Sequence, residues 1–345
     1  MTRTSNRTAP LLYAGIDEAG YGPRLGPLCT GLSVFEISDW SSDVHAPDLW
    51  DRLASVVCTS IRETRHGRIA VADSKVLKRP KGSISCHPLT HLEIGVLSFL
   101  YACAHDSVLP QTDAELLSAL GAADWSTLNW YGSQSIELPV GTTRQLVHLR
   151  TTRLSGVCTE CGIRPLFMRV AITDEHKLNH FVETGATKAD VALRAVGQLV
   201  QLLWAYSSVN SYSDEPPRLV IDRQGGRTHY ADVLRTMLPQ SQITSTLESP
   251  AESRYELVGE HEGRPCALTV HFRVNAEQHH FPVALASMIA KYVRELLMER
   301  FNRYWAERTT ELKPTAGYGT DAGRWLRDMQ DVLSPDERRA IIRRA

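Results

Sequence analysis

The sequence predicts an α/β fold, a mixed β-sheet flanked by helices with an inserted segment. Three observations predict it: strand-like apolar runs come first, strand and helix then alternate, and the stretch 106–164 fits neither pattern. At 345 residues, with 43% hydrophobic and 22% charged residues, the chain can bury a substantial core.

Leu11-Leu12-Tyr13-Ala14 opens a strand expected over 11–16, ended by the glycine and proline turn inside "GIDEAGYGPRLGPL". A second strand is expected over 30–37, then helices over 48–63 and 91–105. The irregular segment follows with "LPQTDAELLSALGAADW", a strand reading of "TRQLVHLR" and the pair Cys158-x-x-Cys161. Strands are expected over 165–173, 217–222 and 267–274, the last placing Leu268, Val270, Phe272 and Val274 on one face. Helices are expected over 187–207, 228–238, 283–305 and 321–332. Ser334-Pro335 then supplies a cap and first position for a basic helix over 334–345. This gives a discontinuous main domain, 10–105 and 165–333, around an insertion at 106–164.

A formal net charge of -1 provides no global attraction to nucleic acid, so any such binding needs a local patch. Arg62, Arg65, Arg68, Lys75, Lys78, Arg79 and Lys81, against only Glu63 and Asp73, make one, although a merely solvated basic face has the same composition. No apolar run approaches the roughly 18 residues of a membrane span, and the polar start lacks a signal-peptide core. A cytoplasmic protein without membrane contact is expected. The seven cysteines are scattered, unlike a disulfide framework. Cys158 and Cys161 have the spacing of half a zinc site, which Cys86, His87 and His148 would complete only if the fold gathered them; reduced cysteines in a loop are the expectation.

The turn after Ala19 raises a choice between a phosphate and a metal. Its glycines are off the dinucleotide spacing by one residue, Pro23 and Pro27 remove N–H donors, and Asp17 and Glu18 would repel an anion. Adjacent acids suit a cation better, provided the strand ends where they converge. Asp222 likewise ends an apolar strand before Arg-Gln-Gly-Gly, and Glu277 follows the strand 267–274. Taken singly each is a surface acid; three strand ends carrying acids point to a shared cation site, and both readings stay open on the residues alone.

In five stretches, taken in order, the chain resembles the type 2 ribonucleases H, as a divergent member nearer the archaeal and eukaryotic branch. "GIDEAGYGPRLGPL" resembles the opening motif, which implies metal-binding catalytic acids at Asp17 and Glu18 and a turn, with Gly20, Tyr21 and Gly22, that reads a ribose 2′-hydroxyl through its backbone. "VADSKVLK" resembles the Asp-Ser-Lys segment, placing Ser74 and Lys75 at the nucleic-acid backbone. "LVIDRQGG" resembles the strand bearing the third acid, Asp222, and "NAEQHHFPVALASMIAKYVRE" the fourth-acid segment, here Glu277. "AGYGTDAGRWL" resembles the late motif whose tyrosine, Tyr318, packs at the RNA–DNA junction. The resemblance implies a ribonuclease H-like catalytic domain and an endonuclease acting on RNA–DNA hybrids or on ribonucleotides embedded in DNA. Its cofactors would be two magnesium or manganese ions, and its products 3′-hydroxyl and 5′-phosphate ends.

Three departures accompany it. Tyr21 stands where the family has arginine, with Arg24 near enough to take over a phosphate contact. The fourth acid is an aspartate in the family; here it is Glu277, or Gln278 if the alignment is made on Pro282. The chain is also longer, at 106–164 and in parts of 238–266. Two alternatives follow: a hybrid-binding protein with weakened catalysis, or a nuclease of the same fold acting on another nucleic acid.

Overall fold

The computed structural model describes residues 10–344 apart from 39, 41–46, 79–85, 104–107, 124, 127, 133–134, 210–215, 224–225 and 310. The first half of the chain forms β1 (Leu11–Ala19), β2 (Leu28–Ile37), α1 (Leu49–Arg52), β3 (Val57–Cys58), β4 (Ile69–Ala70), α2 (Ser74–Leu77) and α3 (Thr90–Cys103). Then come α4 (Asp113–Ala119), α5 (Asn129–Gly132), α6 (Arg144–Glu160), β5 (Ile163–Thr173), α7 (Glu175–Glu183) and α8 (Lys188–Val209). The remainder is β6 (Arg218–Asp222), α9 (Ala231–Met237), β7 (Gln242–Glu248), β8 (Glu252–His261), β9 (Arg264–Arg273), α10 (Phe281–Ala306), α11 (Gly319–Asp328) and α12 (Pro335–Ile341).

Seven strands form one sheet in the order β5-β2-β1-β6-β9-β8-β7. β2 is antiparallel to β1 and β5, β6 is parallel to β1 and β9, and β7-β8-β9 run antiparallel. The sheet is therefore mixed and flanked by helices, as the sequence predicts. Its parallel trio brings the C-terminal ends of β1, β6 and β9 to one edge, where loops can gather side chains into a site.

Strand alternation divides the core in two. Leu11, Tyr13 and Val220 face α3 and α10, whereas Leu12, Ala14, Ile16, Leu219 and Ile221 face α8 and α9. α10 lies against the backbones of β1 and β2: a Cβ on Gly15 would sit 2.2 Å from the Val283 nitrogen, and one on Gly31 2.3 Å from the Ala286 oxygen. Ser33 Oγ donates to the Pro282 oxygen at 2.8 Å in the same contact. Gly31→Ala must push α10 outward and is expected to cost about 1–3 kcal/mol of stability. A urea midpoint equal to that of the parent would refute this close approach.

Several expectations are corrected. The helix expected over 48–63 stops at Arg52, because Val57 and Cys58 pair in parallel with Ile69 and Ala70. "TRQLVHLR" belongs to α6, where Thr143 accepts from the Leu146 N–H as N-cap and Val147, Thr151, Leu154 and Cys158 bury one stripe. Cys158 thus lies in a helix and Cys161 caps it, its thiol donating to the Arg52 oxygen at 3.1 Å. Among the described residues no three His, Cys, Asp or Glu side chains form a group that could hold a metal, so Cys86, His87 and His148 do not complete a zinc site. The hairpin β7–β8 was not expected, and α12 ends at Ile341. Arg79 and Lys81 of the basic run, and Gln224-Gly225 after Asp222, lie outside the described residues.

Within 106–164, Leu116, Trp130, Val147 and Leu154 join the core on the α10 side. Asp113 and Arg300 form a buried pair there with two bonds of 2.6 Å. Among the described residues no helix is long and apolar enough to cross a membrane.

Candidate functional site

Ile16 pairs with Ile221 and Asp222 with Arg273, so Asp17 and Asp222 stand level on neighbouring strands. Glu277 lies in the short 3-10 turn Ala276–Gln278, entered through Asn275 in the left-handed region at φ 52°. Asparagine tolerates that conformation better than most residues. The Ala276 N–H donates to Asp222 Oδ1 at 2.8 Å and ties this turn to β6.

Asp17 and Glu18 do not converge by the strand ending between them. β1 stays paired with β2 through Ala19, so alternation sends Asp17 to the α10 face and Glu18 to the opposite one. The acids nevertheless act on one another. Burial pushes the Asp17 carboxyl well above the usual carboxylate range, and the charges of Glu18 and Asp222 push the same way. The Ser287 hydroxyl and the Glu18 N–H, 2.7 Å from Oδ1, oppose that rise. Asp222 is pushed up to about 7, first by burial and then by Glu277 and Glu18, against the Ala276 N–H. Glu277 is buried, and its Oε2 has no hydrogen-bond partner. This donor set is all carboxylate oxygen with one buried oxygen unsatisfied, which fits a hard divalent cation in chemistry. In placement the acids are neighbours in pairs, and among the described residues no three of them close around one point.

The glycine turn is held from four directions. Arg24 and Leu25 donate their N–H groups to the Gly317 oxygen at 2.8 and 3.2 Å. The Gly26 N–H donates to Glu175 Oε1 at 3.0 Å, and Arg294 donates to the Leu25 oxygen at 3.3 Å. Arg343 donates to the carbonyls of Gly20, Tyr21 and Gly26. Gly20 has φ +95°, and a Cβ there would lie 2.6 Å from Arg294 Nε, so no other residue fits without movement. Tyr21 and Arg24 are exposed, and Lys188 Nζ lies 5.3 Å from the Tyr21 ring centroid. A cation from α8 thus stands beside the exposed aromatic ring of the turn.

Gly317 carries Tyr318 to this turn. Its ring is exposed and backed by Arg294 at 5.0 Å and Lys291 at 5.7 Å. Ser74 is buried at the start of α2 and accepts from Ser287 Oγ at 3.0 Å, while Lys75 is exposed. The basic run is less free than its composition suggests, since Arg68 pairs with Glu63 and Lys78 with Glu295. Arg62 and Arg65 are exposed.

Glu175 shows how the turn is coupled to its surroundings. It is fully buried, accepts from Tyr131 Oη at 2.8 Å and from Gly26, and its Oε2 has no partner. Burial pushes its carboxyl from 4.5 up to about 7; Tyr131 and Arg343 oppose the rise and Asp174 adds to it. A folded-state value above the unfolded one means that stability is fully present below about pH 4.5 and is lost as pH rises through about 7. Glu175→Gln retains an accepting oxygen and is expected to remove up to about 3 kcal/mol of that pH-dependent loss. Parallel stability profiles of variant and parent between pH 4.5 and 8 would contradict it.

His280 caps the start of α10 between Tyr13 and Arg273. Burial, then Arg273, pushes its imidazole down to about 3, so the ring is neutral. Guanidinium only donates, so Nε2 accepts from Arg273 at 3.0 Å and Nδ1–H donates to Tyr13 Oη at 2.6 Å. This network anchors the segment that carries Glu277.

The structure thus brings Asp17, Glu18, Asp222 and Glu277 to one sheet edge, and sets Gly20, Tyr21, Gly22, Arg24 and Tyr318 around one turn. Sequence reasoning missed Ser287, Lys291, Arg294, Glu175 and Arg343. The first three were within reach, because spacings of four and three residues put them on one face of α10. Nothing in the sequence near Glu175 or Arg343 points to the turn.

No protein-family model matches the chain, and no curated protein matches it. Among solved structures, ribonuclease HII of Archaeoglobus fulgidus, in a complex with PCNA, aligns with a TM-score of 0.40 at 14% identity, covering 96% of this chain and 94% of that one. Ribonuclease H2 from Pyrococcus horikoshii OT3 aligns with 0.39 at 16%, covering 97% and 93%. Bst ribonuclease HIII in complex with Mn2+ aligns with 0.39 at 15%, covering 96% and 70%. Such identities leave the chemistry of the site to be read from this chain's own side chains.

Proposed function

We propose that this chain is a divalent-metal-dependent endonuclease of the type 2 ribonuclease H kind, hydrolysing RNA in RNA–DNA hybrids or at ribonucleotides embedded in DNA. The observation that carries the reading is the juxtaposition of four acids, from β1, β6 and the 276–278 turn, with a glycine turn backed by buried arginines. Asp17, Glu18, Asp222 and Glu277 would hold the cations. When bound, divalent cations supply the charge neutralisation and Lewis acidity that in-line phosphodiester hydrolysis needs.

The chain's own residues do the rest. The turn 20–26 presents backbone groups to the sugar, which allows a 2′-hydroxyl to be recognised without a charged side chain. Arg24, Lys75 and Lys188 supply positive charge for the phosphates. Tyr318 offers an aromatic face stiffened by the cations beneath it. Tyr318→Phe is expected to bind hybrid like the parent, and Tyr318→Ala to weaken binding by roughly 1–3 kcal/mol. Equal affinity of the alanine variant in fluorescence anisotropy would remove Tyr318 from the interface.

The absence of a three-acid group among the described residues favours one second reading, a hybrid-binding protein whose catalysis is weakened. A single assay separates the readings. The purified protein is incubated with magnesium or manganese and a labelled hybrid, a duplex carrying one ribonucleotide, and plain DNA. Cleavage of the first two alone supports the proposal; binding without cleavage supports the second reading. Cleavage of plain DNA would overturn both.

A further inference from the structure

The segment after α12 reaches back across the molecule to the glycine turn. Asn179 of α7 holds it, donating to the Ile342 oxygen at 2.9 Å and accepting from the Arg344 N–H at 2.7 Å. Arg344 also pairs with Glu183 at 2.7 Å. Between these anchors the Arg343 N–H donates to the Arg24 oxygen at 2.9 Å, and the Arg343 side chain, 5% exposed, runs under the turn. Its guanidinium donates most closely to the Gly20 carbonyl and reaches those of Tyr21 and Gly26 at the longer distances of 3.4 and 3.5 Å.

A trans peptide points its C=O and the next residue's N–H in opposite directions. Carbonyls of Gly20 and Tyr21 drawn inward to Arg343 therefore aim the N–H groups of Tyr21 and Gly22 outward, where both residues are exposed. The rigid planar fork of guanidinium holds several carbonyls in fixed directions from two separate nitrogens, which the single flexible ammonium of lysine reproduces poorly.

We propose that Arg343 is a positioning residue, holding the backbone of 20–22 so that the Tyr21 and Gly22 N–H groups face the sugar and phosphate of a bound nucleic acid. The proposal rests on the reading of the turn as a nucleic-acid contact. It also accounts for how the turn can work with Tyr21 in place of an arginine: the fixed element is the backbone, clamped from beneath, rather than a side chain reaching from above.

The test uses the full chain with Arg343→Ala and Arg343→Lys, the lysine variant keeping the charge should alanine fail to fold. Two quantities are measured: amide hydrogen exchange across the turn 20–27, and affinity for an RNA–DNA hybrid against a DNA duplex of the same sequence, in chelator. Exchange in 20–27 is expected to quicken in both variants while β1 and β6 keep their protection. Hybrid affinity should fall about tenfold, as for loss of a hydrogen bond to a charged group, with DNA affinity unchanged. Unchanged exchange would show that Arg343 does not hold the turn. Faster exchange with the preference for hybrid intact would show that the turn's N–H groups do not read the sugar. A parent that binds hybrid and DNA alike would refute the reading of the ribose, and one that binds neither would refute the nucleic-acid reading itself, while the exchange result would still judge the clamp.

Discussion

Asp222→Asn is expected to lower the rate of hybrid cleavage by about a thousandfold or more while leaving the fold intact and raising its melting temperature. The oxygen that accepts from the Ala276 N–H is retained by asparagine, so the link between β6 and the 276–278 turn survives. What disappears is one charge of a buried cluster in which Asp17, Glu18, Asp222 and Glu277 act against each other. A stability gain of about 1 kcal/mol would raise the melting temperature by about 1.4 °C in a chain of 345 residues. Opposite movement of activity and stability distinguishes a functional acid from a structural one, because a structural carboxylate loses both when neutralised. Cleavage near the parent's rate, or a fall in melting temperature, would remove Asp222 from the site.

The second large effect is expected at Glu277. Relative to aspartate, its extra methylene moves the carboxylate about 1.5 Å farther from the backbone. A misplacement near 1 Å can cost about a hundredfold in rate. Glu277 is buried, one of its oxygens has no partner, and it raises the Asp222 carboxyl, so it faces the cluster. Magnesium requires near-ideal octahedral geometry and suffers more from such a displacement than manganese. Activity with manganese should therefore exceed that with magnesium, Glu277→Asp should narrow the gap, and Glu277→Gln should abolish the magnesium reaction. A glutamine variant as fast as the parent in magnesium would leave a site of three acids.

The site was legible where strand ends carry polar residues before turns. Asp17 and Asp222 needed only apolar runs and glycines to be noticed, and the parallel pairing of β1, β6 and β9 brings those ends together. The convergence of Asp17 with Glu18 was misjudged, because the glycines after Glu18 suggested a strand end that pairing with β2 through Ala19 overrides. The same tertiary override ended the helix expected over 48–63, where pairing of Val57 and Cys58 prevailed over helical spacing. α6 was mistaken for a strand in a short window; its buried stripe shows helical period only when read as far as Cys158. β7 gave no signal because both its faces are largely exposed, so alternation is absent. Arg343 is invisible in sequence for a different reason: its partners are carbonyls, which every residue carries, more than 300 positions away.

Everything proposed about catalysis depends on the acids of β1, β6 and the 276–278 turn forming one divalent-cation centre. Calorimetric titration of manganese into the full chain and into Asp17→Asn measures this without reference to any substrate. Saturable binding to the parent, abolished or weakened by at least roughly tenfold in the variant, is the expected result. Equal uptake of manganese by both proteins would contradict it.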